Sequence, residues 1–149
     1  MQESLLHRIV SADYADSIAL KGGLLFYHFQ GMAARPTRDT DLSGPTDEES
    51  IELLHSLLST AVRTEIEDGM RFDGATVEVT PIRSATEHGG VRGFVVGYLG
   101  TAKTRLQVDM GFGDVITEGP FSRSYRTLLG NLSFHILTYT ESTVAAEVL

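Results

Sequence analysis

Apolar and polar positions alternate along the chain in two distinct periods. Residues 3–15 place Leu5, Leu6, Ile9 and Val10, with Ala12 behind them, at the spacing of a short amphipathic helix. Ser17-Ile18-Ala19-Leu20-Lys21 is brief and apolar, and Gly22-Gly23 closes it, which predicts a short buried strand entering a turn. Leu24 to Phe29 is nearly unbroken apolar sequence ending near Gly31 and reads as a buried helix. Residues 35–45 predict a strand bounded by Pro36 and by Gly44-Pro45. A capping box follows, Thr46 with Glu49, and Asp47 and Glu48 suit the dipole of a first turn. Ile51, Leu54, Leu58, Ala61 or Val62, and Ile66 then mark a long amphipathic helix running to Gly69.

The period changes to two afterwards. Val77, Val79 and Pro81 alternate with Thr76, Glu78 and Thr80, predicting a strand over 76–82. Residues 92–99 and 103–110 predict two more strands, joined through Gly100-Thr101-Ala102 as a hairpin. Residues 115–131 read as loop with one short element, 132–138 as a strand, and 141–149 as the start of a helix. This order describes an α+β fold, a mixed β-sheet flanked by helices, rather than a repeating βαβ wheel.

Composition narrows the class. A chain of 149 residues holds one domain with one core, and 42% hydrophobic with 21% charged residues is ordinary for a globular chain. Twelve Lys and Arg against 20 Asp and Glu give a net charge of −8, which excludes a protein that coats nucleic acid by bulk charge. The absence of cysteine removes disulfides, zinc–thiolate sites and thiol nucleophiles. No run suits a membrane span, and Met1-Gln2-Glu3-Ser4 lacks the form of a signal peptide, so the expectation is a cytoplasmic protein.

The excess of acid directs attention to Asp39-Thr40-Asp41. On a strand, residues i and i+2 share a face, so both carboxylates point one way and Thr40 and Leu42 the other. Paired carboxylates repel unless a cation lies between them, and a hard divalent ion such as Mg²⁺ suits that donor set. Asp109 ends the strand whose other face is Leu106, Val108 and Met110, and it completes a bipartite metal site if the two strands are neighbours. Lys21-Gly22-Gly23 ahead of a helix can present backbone N–H groups to a phosphate. Arg35 and Thr37, just before the acids, offer a cation and a hydroxyl donor to the same anion. Taken singly, each has an ordinary alternative: solvated acids at a strand end, a plain glycine turn, a surface ion pair.

In order and spacing, Leu20-Lys21-Gly22-Gly23, then Arg35-x-Thr37-x-Asp39-x-Asp41-Leu42, then Val108-Asp109-x-Gly111-Phe112-Gly113-Asp114 resembles the AbiEii/AbiGii-type toxin nucleotidyltransferases of the polymerase-β-like superfamily. The resemblance runs from about residue 16 to 149. It implies a nucleotidyltransferase core in which Gly22 and Gly23 hold the phosphates of an NTP, Asp39 and Asp41 bind Mg²⁺ or Mn²⁺, and Asp109 completes the metal site and helps deprotonate the attacking hydroxyl. It also implies transfer of a nucleoside monophosphate to an acceptor such as tRNA or a protein, in a toxin–antitoxin or phage-defence setting with a cognate antitoxin. One departure stands out. Val148 falls where that family carries a lysine at the opening of a further helix, so the chain reads as a single core domain over 1–149 cut short at its C-terminal end. The alternative is a catalytically inactive or partner-binding module of the same fold.

Other chemistry is weaker. His7, His28, His55, His88 and His135 form no i, i+4 pair, and no Gly-x-Ser-x-Gly motif occurs. Lys103 and the Arg92/Arg105 neighbourhood make no basic stripe, and Arg123 and Arg126 beside Tyr125 read as a solvated loop.

Overall fold

The structure is a computed structural model that describes residues 2–11, 18–21, 39–44, 51–82, 90–112, 121–126 and 133–138. Seven strands form one sheet: β1 (Ala19–Lys21), β2 (Asp39–Ser43), β3 (Met70–Ile82), β4 (Gly90–Leu99), β5 (Ala102–Gly111), β6 (Phe121–Arg126) and β7 (Ser133–Thr138). Their order is β3-β4-β5-β2-β1-β7-β6. β2 runs parallel to β5 and β1 parallel to β7, while the remaining pairs are antiparallel, so the sheet is mixed and the fold is α+β. Among the described residues two helices accompany it, α1 (Gln2–Val10) and α2 (Ile51–Arg63). Neither is long and apolar enough to cross a membrane.

The helices form where the 3.6 period predicts them. Leu54, Leu57, Leu58 and Ala61 of α2 are buried at i, i+3, i+4 and i+7, with Glu52 in the first turn and Arg63 in the last. Each buried leucine contributes roughly 2 kcal/mol of transfer free energy before ordering costs. The α2 stripe packs on β3 and β4, and α1 lies against α2, β2 and β7 with Leu5, Leu6 and Ile9 buried. The opposing layer is Leu42, Val91, Val95, Leu106, Val108 and Met110, one face of the central strands. A close approach fixes the seat of α2: a Cβ on Gly93 would lie 2.5 Å from Cδ1 of Leu58.

Several boundaries differ from the sequence expectation: α1 ends at Val10 rather than near 15, β1 starts at Ala19 rather than 17, and two larger differences have a clear physical cause. α2 ends at Arg63 rather than near Gly69 because the chain turns to bring Asp68 onto Arg8 of α1. Arg8 Nη1 and Nη2 donate to Asp68 at 2.7 and 2.9 Å, and Nη2 also donates to the carbonyls of Ile66 and Met70. Asp68 in turn accepts from the Met70 amide at 3.0 Å and from the Ser4 hydroxyl. β3 begins at Met70, not 76, because Gly74 and Ala75 are absorbed in a bulge instead of ending the strand. There, residues 74–77 face Val95 alone. Thr76 secures it, donating to the Asp73 carbonyl and accepting from the Val96 amide.

The expected helix over 24–31, the Thr46/Glu49 cap and the helix pattern over 141–149 lie outside the described residues. The one short element expected within 115–131 is β6.

Candidate functional site

Strand alternation sorts β2 into two faces. Thr40 and Leu42 are buried on the helix side, while Asp39 and Asp41 are half-buried on the other. The parallel ladder sets Asp41 directly beside Asp109 of β5 and Asp39 beside Gln107. Neighbouring strands are about 4.8 Å apart, so the two aspartates are adjacent at the backbone. On the far side of β2, Lys21 of β1 is the register partner of Asp41. On the far side of β5, Arg92 of β4 is the partner of Asp109. A row of charged side chains therefore crosses four strands, Lys21–Asp41–Asp109–Arg92, with cations at its ends and acids in its middle. The next row along the same face is Asp39–Gln107–Phe94.

Arg92 did not stand out in the sequence, yet it has the most defined geometry here. Its Nε donates to Asp109 Oδ1 at 2.9 Å and its Nη2 to Oδ2 at 3.1 Å, a two-pronged pair. Gln107 Nε2 donates to the same two oxygens at 3.3 and 3.2 Å. The Arg92 guanidinium is held above its ordinary pKa by the hydrogen bond to Asp109, against the opposing effect of burial, and the charges of Asp109, Asp39 and Asp41 add to it. All three carboxylates thus act on one cation, as groups sharing a face must. The pairing was within reach of the sequence: a two-residue turn, Gly100-Thr101, sets Leu99 opposite Ala102, and seven residues back along each strand lie Arg92 and Asp109.

Farther along this face Arg105 lies over the Phe94 ring at 3.8 Å and pairs with Glu78 at 3.4 Å, and Arg71 covers Tyr98 at 4.5 Å. A cleft of about 550 Å³ lies instead at the β3 edge, lined by Arg8, Val62, Glu65, Arg71 and Phe72 among others. It is remote from the acid row, and Arg8 there is already committed to Asp68 and main-chain carbonyls.

Of the site residues expected from sequence, Lys21, Asp39, Asp41 and Asp109 are brought onto adjoining strands. Gly22, Gly23, Arg35 and Thr37 lie outside the described residues. Carboxylates are the hard oxygen donors that Mg²⁺ or Mn²⁺ takes, so the donor chemistry of Asp39, Asp41 and Asp109 fits such an ion. Their side-chain arrangement does not yet enclose one: among the described residues no three His, Asp or Glu side chains are gathered to hold a metal. Asp109 is turned to Arg92.

Comparison with known proteins adds a family and a fold. The sequence profile described as "Nucleotidyl transferase AbiEii toxin, Type IV TA system" matches residues 4–148. No curated protein sequence matches the chain. Among solved structures, JHP933 from Helicobacter pylori superposes with a TM-score of 0.58 at 18% identity, over 97% of this chain and 53% of that one. A candidate nucleotidyltransferase from H. pylori superposes with a TM-score of 0.56 at 17% identity, over 97% and 55%. The chain therefore spans about half the length of these structures, and at such identities the likeness is one of fold.

Proposed function

The chain belongs to the AbiEii family of nucleotidyl transferase toxins, and from that premise we propose that it transfers a nucleoside monophosphate from an NTP to an acceptor hydroxyl at the sheet face that carries Asp39, Asp41 and Asp109. The observation that carries this reading is the register pairing of Asp41 with Asp109, with Asp39 on the same face. Asp39, Asp41 and Asp109 are the residues that would hold a divalent cation, Mg²⁺ or Mn²⁺. Such an ion, when bound, supplies charge neutralisation at the reacting phosphate and lowers the pKa of a coordinated hydroxyl.

The remaining work falls to the protein. A carboxylate oxygen of Asp109 accepts the acceptor's hydroxyl proton as the new bond to the α-phosphorus forms. The bond from that phosphorus to the bridging oxygen breaks, and pyrophosphate leaves with the electron pair. Lys21, next to Asp41, together with Gly22, Gly23, Arg35 and Thr37, binds the triphosphate and orients it in line. The acceptor is tRNA or a protein, the cytoplasm is where NTP is available, and a cognate antitoxin limits the activity, as the type IV family description suggests.

The test is to incubate the protein with labelled NTPs, Mg²⁺ and either total tRNA or candidate proteins. Transfer is expected, and Asp41→Asn should reduce it by at least about a hundredfold, the scale of losing a group that acts in the transition state. Absence of transfer at high enzyme concentration with every NTP sinks the catalytic reading. The engagement of both Asp109 oxygens by Arg92 favours one alternative, a non-catalytic or partner-binding module of this fold. Mg²⁺-dependent nucleotide binding by calorimetry that Asp39→Asn abolishes argues against a purely structural role, and transfer of label then separates catalysis from binding.

A further inference from the structure

We infer that Arg92 is a built-in counter-ion that competes with a divalent cation for the Asp109 carboxylate, and so sets how tightly the acid row takes up metal. The inference rests on the nucleotidyltransferase reading above, but it concerns a positioning residue which that reading does not require.

A carboxylate has two oxygens and about four acceptor sites. At Asp109 the guanidinium takes one on each oxygen through Nε and Nη2, and the Gln107 amide takes a share of both. Little acceptor capacity is left, so a cation entering at Asp109 must displace a donor. The guanidinium is the donor whose removal matters most, because it also repels the incoming charge.

Position makes the competition selective. Arg92 is the cross-strand partner of Asp109, and Asp109 is that of Asp41, so the guanidinium closes the β4 end of the row where the acids would gather around an ion. The Arg92 side chain is 40% exposed and that of Asp109 19%, so the pair can exchange with solvent species as a fully buried pair cannot. Gln107 is neutral and stays hydrogen-bonded to Asp109 whichever cation is present, which keeps the carboxylate in place during the exchange. Lys21 neutralises the other end of the row from β1. Across the four strands Lys21 and Arg92 offset two of the three carboxylates, and a divalent ion that takes Asp109 as a ligand must displace the guanidinium already there.

The experiment titrates Mn²⁺ into the wild-type protein, Arg92→Gln, Arg92→Lys, Arg105→Gln and Asp41→Asn, following binding by electron paramagnetic resonance and melting temperature in EDTA and in Mn²⁺. Arg92→Gln should bind Mn²⁺ about tenfold more tightly, the effect of removing one unit charge close to a divalent ion in a partly solvated setting. Its melting temperature should rise more on adding Mn²⁺ than that of the wild type. Arg92→Lys, which keeps the charge and gives up the two-pronged geometry, should fall between them. Arg105→Gln removes a cation from the same face away from Asp109 and should change the affinity less than about twofold.

Wild-type binding that Asp41→Asn abolishes, with Arg92→Gln binding no more tightly, overturns the role of Arg92 and leaves the metal-dependent reading standing. Equal tightening by Arg105→Gln overturns it as well, since the effect would then be one of general charge. If neither wild type nor Arg92→Gln binds Mn²⁺, both readings fall. Should Arg92→Gln not fold, Arg92→Lys decides: affinity no higher than wild type overturns the inference.

Discussion

Arg8–Asp68 and Arg92–Asp109 are both two-pronged arginine–aspartate pairs, the first made through Nη1 and Nη2 and the second through Nε and Nη2, and the fold uses them differently. The first pair is 3% and 8% exposed, sits between α1 and the chain entering β3, and shares its remaining donors with main-chain carbonyls and its acceptors with Ser4 and the Met70 amide. Phe72 covers it at 5.0 Å. The second is 40% and 19% exposed, lies on the strand face opposite the helices, and has further carboxylates as neighbours. Burial with both carboxylate oxygens and both terminal guanidinium nitrogens hydrogen-bonded makes a fixed cross-link. Partial exposure among like charges makes an exchangeable one.

The contrast can be broken most forcefully at Arg8. Arg8→Ala leaves a buried carboxylate without its partner, and the loss should be about 3–5 kcal/mol of folding free energy, read by urea denaturation. A much smaller loss would mean that Asp68 finds water, and that the two pairs are alike after all. Acid gives the next largest effect. Burial alone would raise the Asp68 carboxyl, but hydrogen bonds from Arg8, Ser4 and the Met70 amide, with the Arg8 charge, bring it down from the ordinary 3.8 to about 2. A depressed carboxyl stabilises the fold fully above the unfolded value of 3.8 and loses that contribution as pH falls toward 2. About 2 kcal/mol should disappear over that window in stability measured against pH. His7, held below its ordinary 6.5 mainly by burial, should begin the decline earlier, because protonating it below that value favours the unfolded chain.

Arg92→Ala in metal-free buffer should cost only about 1 kcal/mol, as a half-exposed pair does, with urea again the measurement. The smallest effect is expected on the inner face of the acid strand. Thr40 Oγ1 is buried with no hydrogen-bond partner, so Thr40→Val removes an unsatisfied hydroxyl at nearly constant volume and should be neutral or stabilising by up to about 1 kcal/mol in thermal unfolding.

Local pattern made much of this legible. The β4–β5 hairpin and the two-faced character of Asp39-Thr40-Asp41 follow from a period of two. Of the stripe expected from the 3.6 period, Leu54, Leu58 and Ala61 are buried, while Ile51 is exposed, Ile66 lies past the helix end and Leu57 joins the buried face. What pattern could not supply was long-range. Sheet order placed β2 beside β5, and nothing within either strand encodes that neighbour. The role of Arg8 depends on Asp68, sixty residues away, which the fold brings to it. The strand expected over 76–82 starts six residues earlier because a bulge is a property of two strands, and the alternation of one strand does not show it. At the acid row, the identities of Asp39, Asp41 and Asp109 were readable, whereas Arg92 required a count through the hairpin turn.

The β3 bulge has a further consequence for how this sheet can change length. With residues 74–77 facing Val95 alone, and Gly74 and Ala75 exposed, a residue inserted between those two can be taken up as extra slack at the edge, and β4 need not notice. One residue inserted at Gly100-Thr101 is harmless only where the exposed turn itself lengthens to hold it. If it were taken up by sliding β5, every side chain of that strand would turn over, sending Asp109 into the core and Val108 to solvent. Evolution and engineering therefore meet two different risks within thirty residues: a stretch whose slack lies at the sheet edge, and a turn where a slip of register would reach the acid row.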